Sequence, residues 1–395
     1  MEKKELIYDV LTRGVEDVFV KENLETKLKS EKTLRIKLGI DPTGDTIHLG
    51  RASVLRKLKR FQELGHQIVL VVGDFTALIG DSSDKSEKRP MLDESTVEKN
   101  LKNYIKIIGK IIDTEKAEVV FNSSWLSKLN FKEIGKLAES FSVQQMLARR
   151  NFSERYEKGQ DISIREFLYP IMQGYDSVAI KADVEIGGFD QLFNVKAGRV
   201  IQKYYGMEVQ DVLTCSMLEG TDGRKMSTSW GNVVNITDEP NDMFGKIMSI
   251  KDELIAKYFL LCTDATVGYI ESIKKEMDNG ANPKNLKLEL AKNIVSLYHG
   301  EELAKKALEN FENTFSKKEI PEDLPEVFVK KGEELMELVL NNKILSSKAE
   351  FKRLIDEGAV SVLPDGEKVE DFHFKIEKNL VVKVGKHKFM NIKVS

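Results

Sequence analysis

The feature that most narrows the fold is an alternation running through the first half of the chain. Short apolar, β-branched runs (Leu34–Ile40, Ile68–Val72, Ala117–Phe121, Asp183–Ile186 and Val209–Leu213) are separated by stretches with helical spacing. Runs of this length and composition read as buried strands. Between the first two, Val54, Leu55, Leu58, Phe61 and Leu64 recur at intervals of three and four, and Gly65 follows as a helix stop. Val97, Leu101, Tyr104, Ile105, Ile108 and Ile112 repeat the pattern before the third strand. Strands joined by crossover helices predict an α/β fold with a Rossmann-like, doubly wound parallel sheet. Ligands of such sheets sit beyond the carboxyl ends of the strands, where DPTGDTIHLGR and VVGDFTALIGD both lie.

Residues 123–164 interrupt the alternation with mostly helical sequence and read as an insertion, a candidate partner surface. Strand signals stop after Asp238, and the segment from Met243 to Phe315 is charged and helix-rich. KKEIPEDLPE, with Pro321 and Pro325 among charges, reads as a linker. Beyond it stand a helix at Leu335–Leu340 and a second in SSKAEFKRLIDEGAV, capped by Ser346 or Ser347 and ended by Gly358. A small β unit with a turn at Pro364-Asp365-Gly366 closes the sequence. The expected division is a catalytic domain over 1–235, an α-helical domain over 236–320 and a small α+β domain over 330–395.

Charge and cysteine content narrow the function. Lys and Arg total 61 against 64 Asp and Glu, so a nucleic-acid partner would have to be met by a local patch. Cys215 and Cys262 stand alone, which excludes a disulfide framework or a cysteine-rich zinc site and suits a reducing compartment. The charged start, MEKKELIYDV, has no signal-peptide core, and the apolar run Ile68–Val72 is far too short to span a bilayer. These features predict a cytoplasmic protein with no membrane partner.

Two short motifs carry chemistry. In DPTGDTIHLGR, Gly50 opens a helix and lets a flat ligand approach backbone N–H groups that attract phosphate. His48 and Thr43 are candidate donors to a phosphoryl group whose charge grows in a transition state. The same stretch also fits an ordinary strand–turn–helix connection with one partly buried histidine. The second motif, Asp222-Gly223-Arg224-Lys225-Met226-Ser227-Thr228-Ser229, is a glycine-turned loop with two cations and three hydroxyls, suited to a leaving pyrophosphate. Alone it fits a solvated loop. The two in this order, separated by a parallel sheet, are far more specific than either.

Together these segments resemble the class I aminoacyl-tRNA synthetases, and in particular their bacterial tyrosyl branch. HLGR is similar to that family's HIGH motif and KMSTS to its KMSKS loop. LYPIMQGYDSVAIKADVEIGGFDQLFN resembles its tyrosine- and ribose-binding region, IGDSSDKSEKR its amino-acid loop, and the last residues its small RNA-binding domain of ribosomal-protein type. The resemblance implies that Tyr169, Gln173 and Asp81 hold the substrate α-ammonium and that Asp176 binds the phenol. Gly39, Asp41 and Gln191 complete the implied tyrosine site. Gly188 and Asp190 would meet the ribose, and Met217 and Leu218 the adenine. His48, Gly50, Lys225, Met226, Ser227 and Ser229 would line the ATP site, with Thr43, His48 and Lys225 as the catalytic donors. Lys85 and Arg89 match further pyrophosphate contacts, though they fit solvated surface charges equally well. Tyr169, Gln173 and Asp176 stand at i, i+4 and i+7, so one helix face can present all three; a core stripe has the same spacing.

Three positions depart from the family pattern. The second HIGH histidine is Arg51, the fourth KMSKS position is Thr228, and Lys37 replaces a second phenol-binding tyrosine. The implied reaction is attack of the tyrosine carboxylate on Mg-ATP, then transfer of tyrosine to the terminal ribose of tRNA(Tyr). It needs no tightly bound cofactor and no metal site of the protein's own. A homodimer through the helical insertion is implied as well. The rival readings are a tryptophan enzyme of the same fold and a non-catalytic RNA-binding paralogue. Gln173-Gly174-Tyr175-Asp176 and the terminal domain favour tyrosine over tryptophan, and intact His48, Asp81, Asp176, Asp190 and Lys225 favour an enzyme.

Overall fold

The structure is a computed structural model. It describes residues 2–41, 46–80, 103–316, 324, 326–342, 344–345, 347–363, 367–385 and 388–394. Two compact units emerge, Met1–Ala304 and Lys305–Ser395.

The larger unit is built on a six-stranded sheet with strands β1 (Val15–Phe19), β2 (Arg35–Ile40), β3 (Gln67–Val72), β4 (Glu118–Phe121), β5 (Val184–Gly188) and β6 (Asp211–Cys215). Their order is β1-β6-β5-β2-β3-β4. Five strands run parallel, but β1 joins β6 antiparallel, so the sheet is mixed rather than wholly parallel. This strand, VEDVF, escapes a sequence reading for a physical reason. It is an edge strand carrying two carboxylates and lacks the fully buried apolar run of the central strands. Those central strands are buried nearly throughout, which is why they read as continuous apolar runs.

The chain leaves β2 towards β3 and β4, then returns to place β5 on the other side of β2. The β2–β5 boundary is therefore the topological switch point, where α/β sheets bind ligands. Only two pairs join these strands, Ile36 with Val184 and Lys37 with Glu185. Past that rung they part. A Cβ added at Gly39, one pleat further along β2, would meet nothing within 4 Å, so the crevice opens directly above Lys37.

Two helices stand over the crevice, Ile164–Ala179 and Leu192–Tyr204. Glycines set their close approach. A Cβ at Gly174 would lie 2.9 Å from the Ala197 carbonyl oxygen, and one at Gly198 would lie 2.7 Å from Ser177 Oγ. Apolar contacts of Ile171 and Ile201 with Leu137 and Met146 tie both helices to the helical segment after β4. That segment comprises Ser123–Leu126, Phe131–Ala138, Val143–Leu147 and Arg150–Glu157. Helices Pro240–Met248, Ile255–Cys262, Val267–Asp278 and Pro283–His299 follow the sheet, as the loss of strand signals after Asp238 predicts.

The smaller unit holds a five-stranded sheet, order β7-β11-β10-β8-β9, from β7 (Glu326–Val329), β8 (Val360–Leu363), β9 (Glu367–Lys368), β10 (Leu380–Val384) and β11 (Lys388–Val394). Helices Leu335–Asn341 and Lys348–Asp356 cover it, with Leu335, Val339, Phe351, Val382, Met390 and Ile392 in its own core. Ser347 caps the second helix through its Oγ; Ser346 and the Pro364-Asp365-Gly366 turn lie outside the described residues. Strand β7 sits just ahead of residue 330. Among the described residues, no helix is long and apolar enough to cross a membrane.

Candidate active site

Every described candidate residue lies at or near the carboxyl end of a strand of the larger sheet or on a helix over it. At the end of β2, Asp41 accepts from the Tyr169 hydroxyl at 2.7 Å and from Thr76 Oγ1 at 2.9 Å. Gly73 is needed for this approach. A Cβ there would lie 2.0 Å from Asp41 Oδ1 and 2.3 Å from Thr76 Oγ1. Asn122 Nδ2 donates to Thr76 Oγ1 at 3.0 Å and reaches Asp176 Oδ2 at 3.4 Å. Trp125 Nε1 donates to Asp176 Oδ1 at 2.8 Å. One hydrogen-bonded chain thus runs from Tyr169 through Asp41, Thr76 and Asn122 to Asp176.

Asp176 is buried, and burial pushes its carboxyl pKa up from 3.8 to about 7. The Lys37 charge and the hydrogen bonds from Trp125 and Asn122 act against that rise, while Glu185 adds to it. A buried carboxylate with two donors and an open crevice beside it is suited to take a hydroxyl proton donor as a third partner. Sequence reading missed Thr76, Asn122 and Trp125, although NSSW follows β4 at the level where ligands bind.

Lys37 does not simply fill the place of a phenol-binding residue. It is fully buried, and its three ammonium protons have three partners: the Gln173 carbonyl oxygen at 2.7 Å, Ser177 Oγ at 2.8 Å and Glu185 Oε1 at 3.0 Å. Glu185 also accepts from Gln173 Nε2 at 3.0 Å, Ser177 Oγ at 3.1 Å and Gln210 Nε2 at 2.5 Å. Such a pair is tolerated inside a protein only when fully hydrogen-bonded, and losing one partner typically costs about 3–5 kcal/mol. Glu185 fixes the Gln173 amide so that its nitrogen faces the sheet, which leaves its oxygen as the acceptor on offer to a ligand.

His48 is the N-cap of the Leu49–Glu63 helix, and its Nδ1 accepts from the Arg51 N–H at 3.3 Å. An accepting Nδ1 puts the neutral ring's proton on Nε2, as a phosphate donor requires. A Cβ at Gly50 would press to 3.1 Å from His48 Nδ1 and 3.7 Å from Leu218 Cβ, so glycine preserves that face. The motif is stitched to the chain beyond the KMSTS loop by Leu49 N–H to the Val234 carbonyl and Ile236 N–H to the Ile47 carbonyl, both 2.9 Å. Arg51 turns its guanidinium to the Tyr104 hydroxyl at 3.0 Å.

After β6, Leu218 and Met226 are joined by a backbone hydrogen bond of 2.9 Å and are both buried. Lys225 Nζ pairs with Asp190 Oδ2 at 3.0 Å, which joins the second motif to the segment after β5. Asp190 needs its own glycine, since a Cβ at Gly188 would lie 2.5 Å from Asp190 Oδ1. Arg224 turns the other way, bound to Asp222 at 2.6 Å and stacked 4.8 Å from the Trp230 ring. Hydrogen bonds from Asn232 and Arg224 draw the Asp222 carboxyl down to about 2. Asn232 also braces the loop through the Ser227 N–H and the Lys225 carbonyl. The Ser227 and Ser229 hydroxyls are 3.0 Å apart. Gln191 takes a hydrogen bond from Asn194 at 2.9 Å. Thr43, Asp81, Lys85 and Arg89 lie outside the described residues.

Comparison with known proteins shows the family. Residues 29–316 match the family described as tRNA synthetases class I (W and Y). A tyrosine–tRNA ligase of Thermotoga maritima is 46% identical over 97% of this chain and 96% of its own. One of Carboxydothermus hydrogenoformans is 46% identical over 97% of both chains. In fold, the chain is similar to a tyrosyl-tRNA synthetase from Archaeoglobus fulgidus crystallised with L-tyrosine, with a TM-score of 0.64 at 22% identity over 78% of this chain and all of that one. The chain belongs to the class I tRNA synthetases of the tyrosine and tryptophan group.

Proposed function

We propose that the protein is a tyrosine–tRNA ligase, activating L-tyrosine with ATP and transferring it to the 3′-terminal ribose of tRNA(Tyr). The observation that carries the tyrosine assignment is the buried, two-donor Asp176 beside the crevice. It offers a third hydrogen bond that phenylalanine cannot use and that the bulk of an indole would crowd. Full-length relatives carrying the tyrosine–tRNA ligase name support it.

In this reading Asp176 accepts a hydrogen bond from the phenol, and Tyr169, Gln173 and Asp81 take the α-ammonium. Gln173 does so through the oxygen that Glu185 turns outward, and Asp41 holds the Tyr169 hydroxyl in place. Gly39 leaves room for the substrate over β2, and Gln191 stands near its carboxylate. ATP enters as its magnesium complex. Its adenine lies against Met217 and Leu218, its ribose against Gly188 and Asp190, and its phosphates between the His48–Gly50 helix end and the loop of Lys225, Met226, Ser227 and Ser229. The tyrosine carboxylate attacks the α-phosphorus, the bond to pyrophosphate breaks, and charge grows on the leaving oxygens. His48, Thr43 and Lys225 meet that charge, with Lys85 and Arg89 beside them. The tRNA hydroxyl then displaces AMP from the activated carbonyl.

Residues 236–320 would receive the anticodon arm and 330–395 a further RNA contact. The exposed side chains of Phe131, Val143 and Tyr156 on the helical segment, with Ile164 just beyond it, are apolar surface that a second copy would cover. Charging tRNA for translation would put the enzyme in the cytoplasm. The test is aminoacylation of total tRNA with each of tyrosine, tryptophan and phenylalanine. Tyrosine alone should be esterified at low concentration, and charging with tryptophan instead would overturn the assignment.

A further inference from the structure

We propose that the buried Lys37–Glu185 pair is a specificity-determining device, placed beneath the pocket, whose two opposed charges set how far Asp176 is ionised and which orients Gln173 for the substrate amine. The inference rests on the tyrosine-site reading above and deepens it.

The placement is the first argument. Lys37 and Glu185 are cross-strand partners on the last rung joining β2 to β5, immediately below the point where the strands part. Both are buried, and neither can touch a ligand in the crevice without giving up partners it already holds. The pair's partners are the second argument. Gln173 and Ser177 lie on the same helix as Asp176, and both bind the pair. The pair therefore grips the helix on either side of the phenol acceptor in sequence, and it sets which end of the Gln173 amide faces the crevice.

Charge is the third argument. A cation under a buried carboxylate favours its ionised form, and the adjacent anion opposes it. The described titratable groups facing Asp176 come from three directions: Lys37 on β2, Glu185 on β5, and Asp41 with Tyr169 through Thr76 and Asn122. Lys37 is the cation among them. With the carboxyl near 7, small changes in this balance alter how much of it is anionic at neutral pH. A charge-assisted hydrogen bond from the phenol to the anion is stronger than one to the neutral acid. A residue that contacts no substrate thus tunes how strongly tyrosine is held.

The test is the pH profile of kcat/KM for tyrosine, from pyrophosphate exchange by the full-length protein between pH 6 and 9.5. The acidic limb should lie near pH 7 in the parent. Lys37→Met should move it up by about one pH unit or more, and Glu185→Gln should move it down. The double variant should return towards the parent, with the change in KM for tyrosine and not for ATP. Opposite shifts are the signature, because loss of packing alone would lower activity at every pH and leave the limb in place. Limbs that stay put, or move together, would overturn the proposal. If Lys37→Met does not fold, the near-isosteric Glu185→Gln and the uncharged double variant still decide it. Asp176→Asn separates this inference from its basis. It should abolish the limb, whereas a retained limb with unchanged KM for tyrosine would remove the site reading and the proposal together.

Discussion

Lys225 of the KMSTS loop and Asp190 after β5 form an ion pair, Nζ to Oδ2, at 3.0 Å. The lysine proposed to meet pyrophosphate is thus paired with the carboxylate proposed to take the ribose. A ribose hydroxyl that donates to Asp190 would weaken this pair, and in the proposed reading nucleotide binding would then release the lysine towards the phosphates.

Lys225→Ala should therefore slow adenylate formation far more than it weakens tyrosine binding. Charge on pyrophosphate develops as the bond breaks, so the loss belongs in kcat. Removing one such donor typically costs about 2.7–4 kcal/mol, or about 10²–10³ in rate. Pre-steady-state adenylation followed with saturating tyrosine and ATP measures it. An unchanged rate would assign the cationic role elsewhere in the loop.

Asp176→Ala should damage amino-acid selection rather than ATP use. In the parent, phenylalanine leaves a buried carboxylate short of a partner, a penalty of about 1–3 kcal/mol or more for a charged group. Without Asp176 that penalty disappears, so the ratio of kcat/KM for tyrosine over phenylalanine should shrink as activity falls. Normal tyrosine binding with phenylalanine still excluded would make Asp176 a structural residue.

Asp176 should also cost stability in a pH-dependent way. Its folded pKa, about 7, lies above its ordinary 3.8. Between those values the unfolded chain gives up the proton first, so stability falls as pH rises through this window and stays low above it. Asp176→Asn, which keeps the shape, should stabilise the protein at pH 8 by on the order of a few kcal/mol at most, read as a higher melting temperature. The gain should vanish towards pH 4. A gain that is the same at both pH values would show that ionisation of Asp176 is not its source.

Deleting residues 317–395 should separate the two half-reactions. The cut falls after the Glu301–Ser316 helix, and the small unit beyond has its own sheet and core. Adenylate formation should survive and tRNA charging at low tRNA concentration should fall. Lys348, Lys352, Arg353, Lys383 and Lys388 are candidate phosphate contacts in the deleted unit, although Lys348 pairs with Glu337 and Arg353 with Glu357; Lys386 lies outside the described residues. Binding through phosphates also predicts that tRNA affinity of the intact protein falls with salt, less steeply after truncation. Near-normal charging by the soluble truncated protein would sink the idea.

The fold was legible where one physical demand dominates a segment. Strands buried on both faces spell continuous apolar runs, and the Leu49–Glu63 helix spells its period and its stop at Gly65. The edge strand β1 obeys no such single demand, and its Glu16 and Asp17 hide it. Within the site, His48, Asp176, Asp190 and Lys225 could be named because they sit in motifs. Thr76, Asn122, Trp125 and Glu185 could not, because their roles arise from contacts between residues tens to hundreds of positions apart. Lys37 shows the limit most plainly. Its sequence position implied a vacancy in phenol recognition, whereas its chemistry is set by a strand partner that only the β2–β5 register reveals.

Amino-acid-dependent exchange of labelled pyrophosphate into ATP tests the activity most directly, because it needs only the crevice, the two motifs and the small substrates. Tyrosine should drive exchange by the full-length protein at micromolar to millimolar concentration, and tryptophan and phenylalanine should not. Exchange driven by tryptophan would contradict the phenol-binding role of Asp176. No exchange with any amino acid, from folded protein, would contradict catalysis itself.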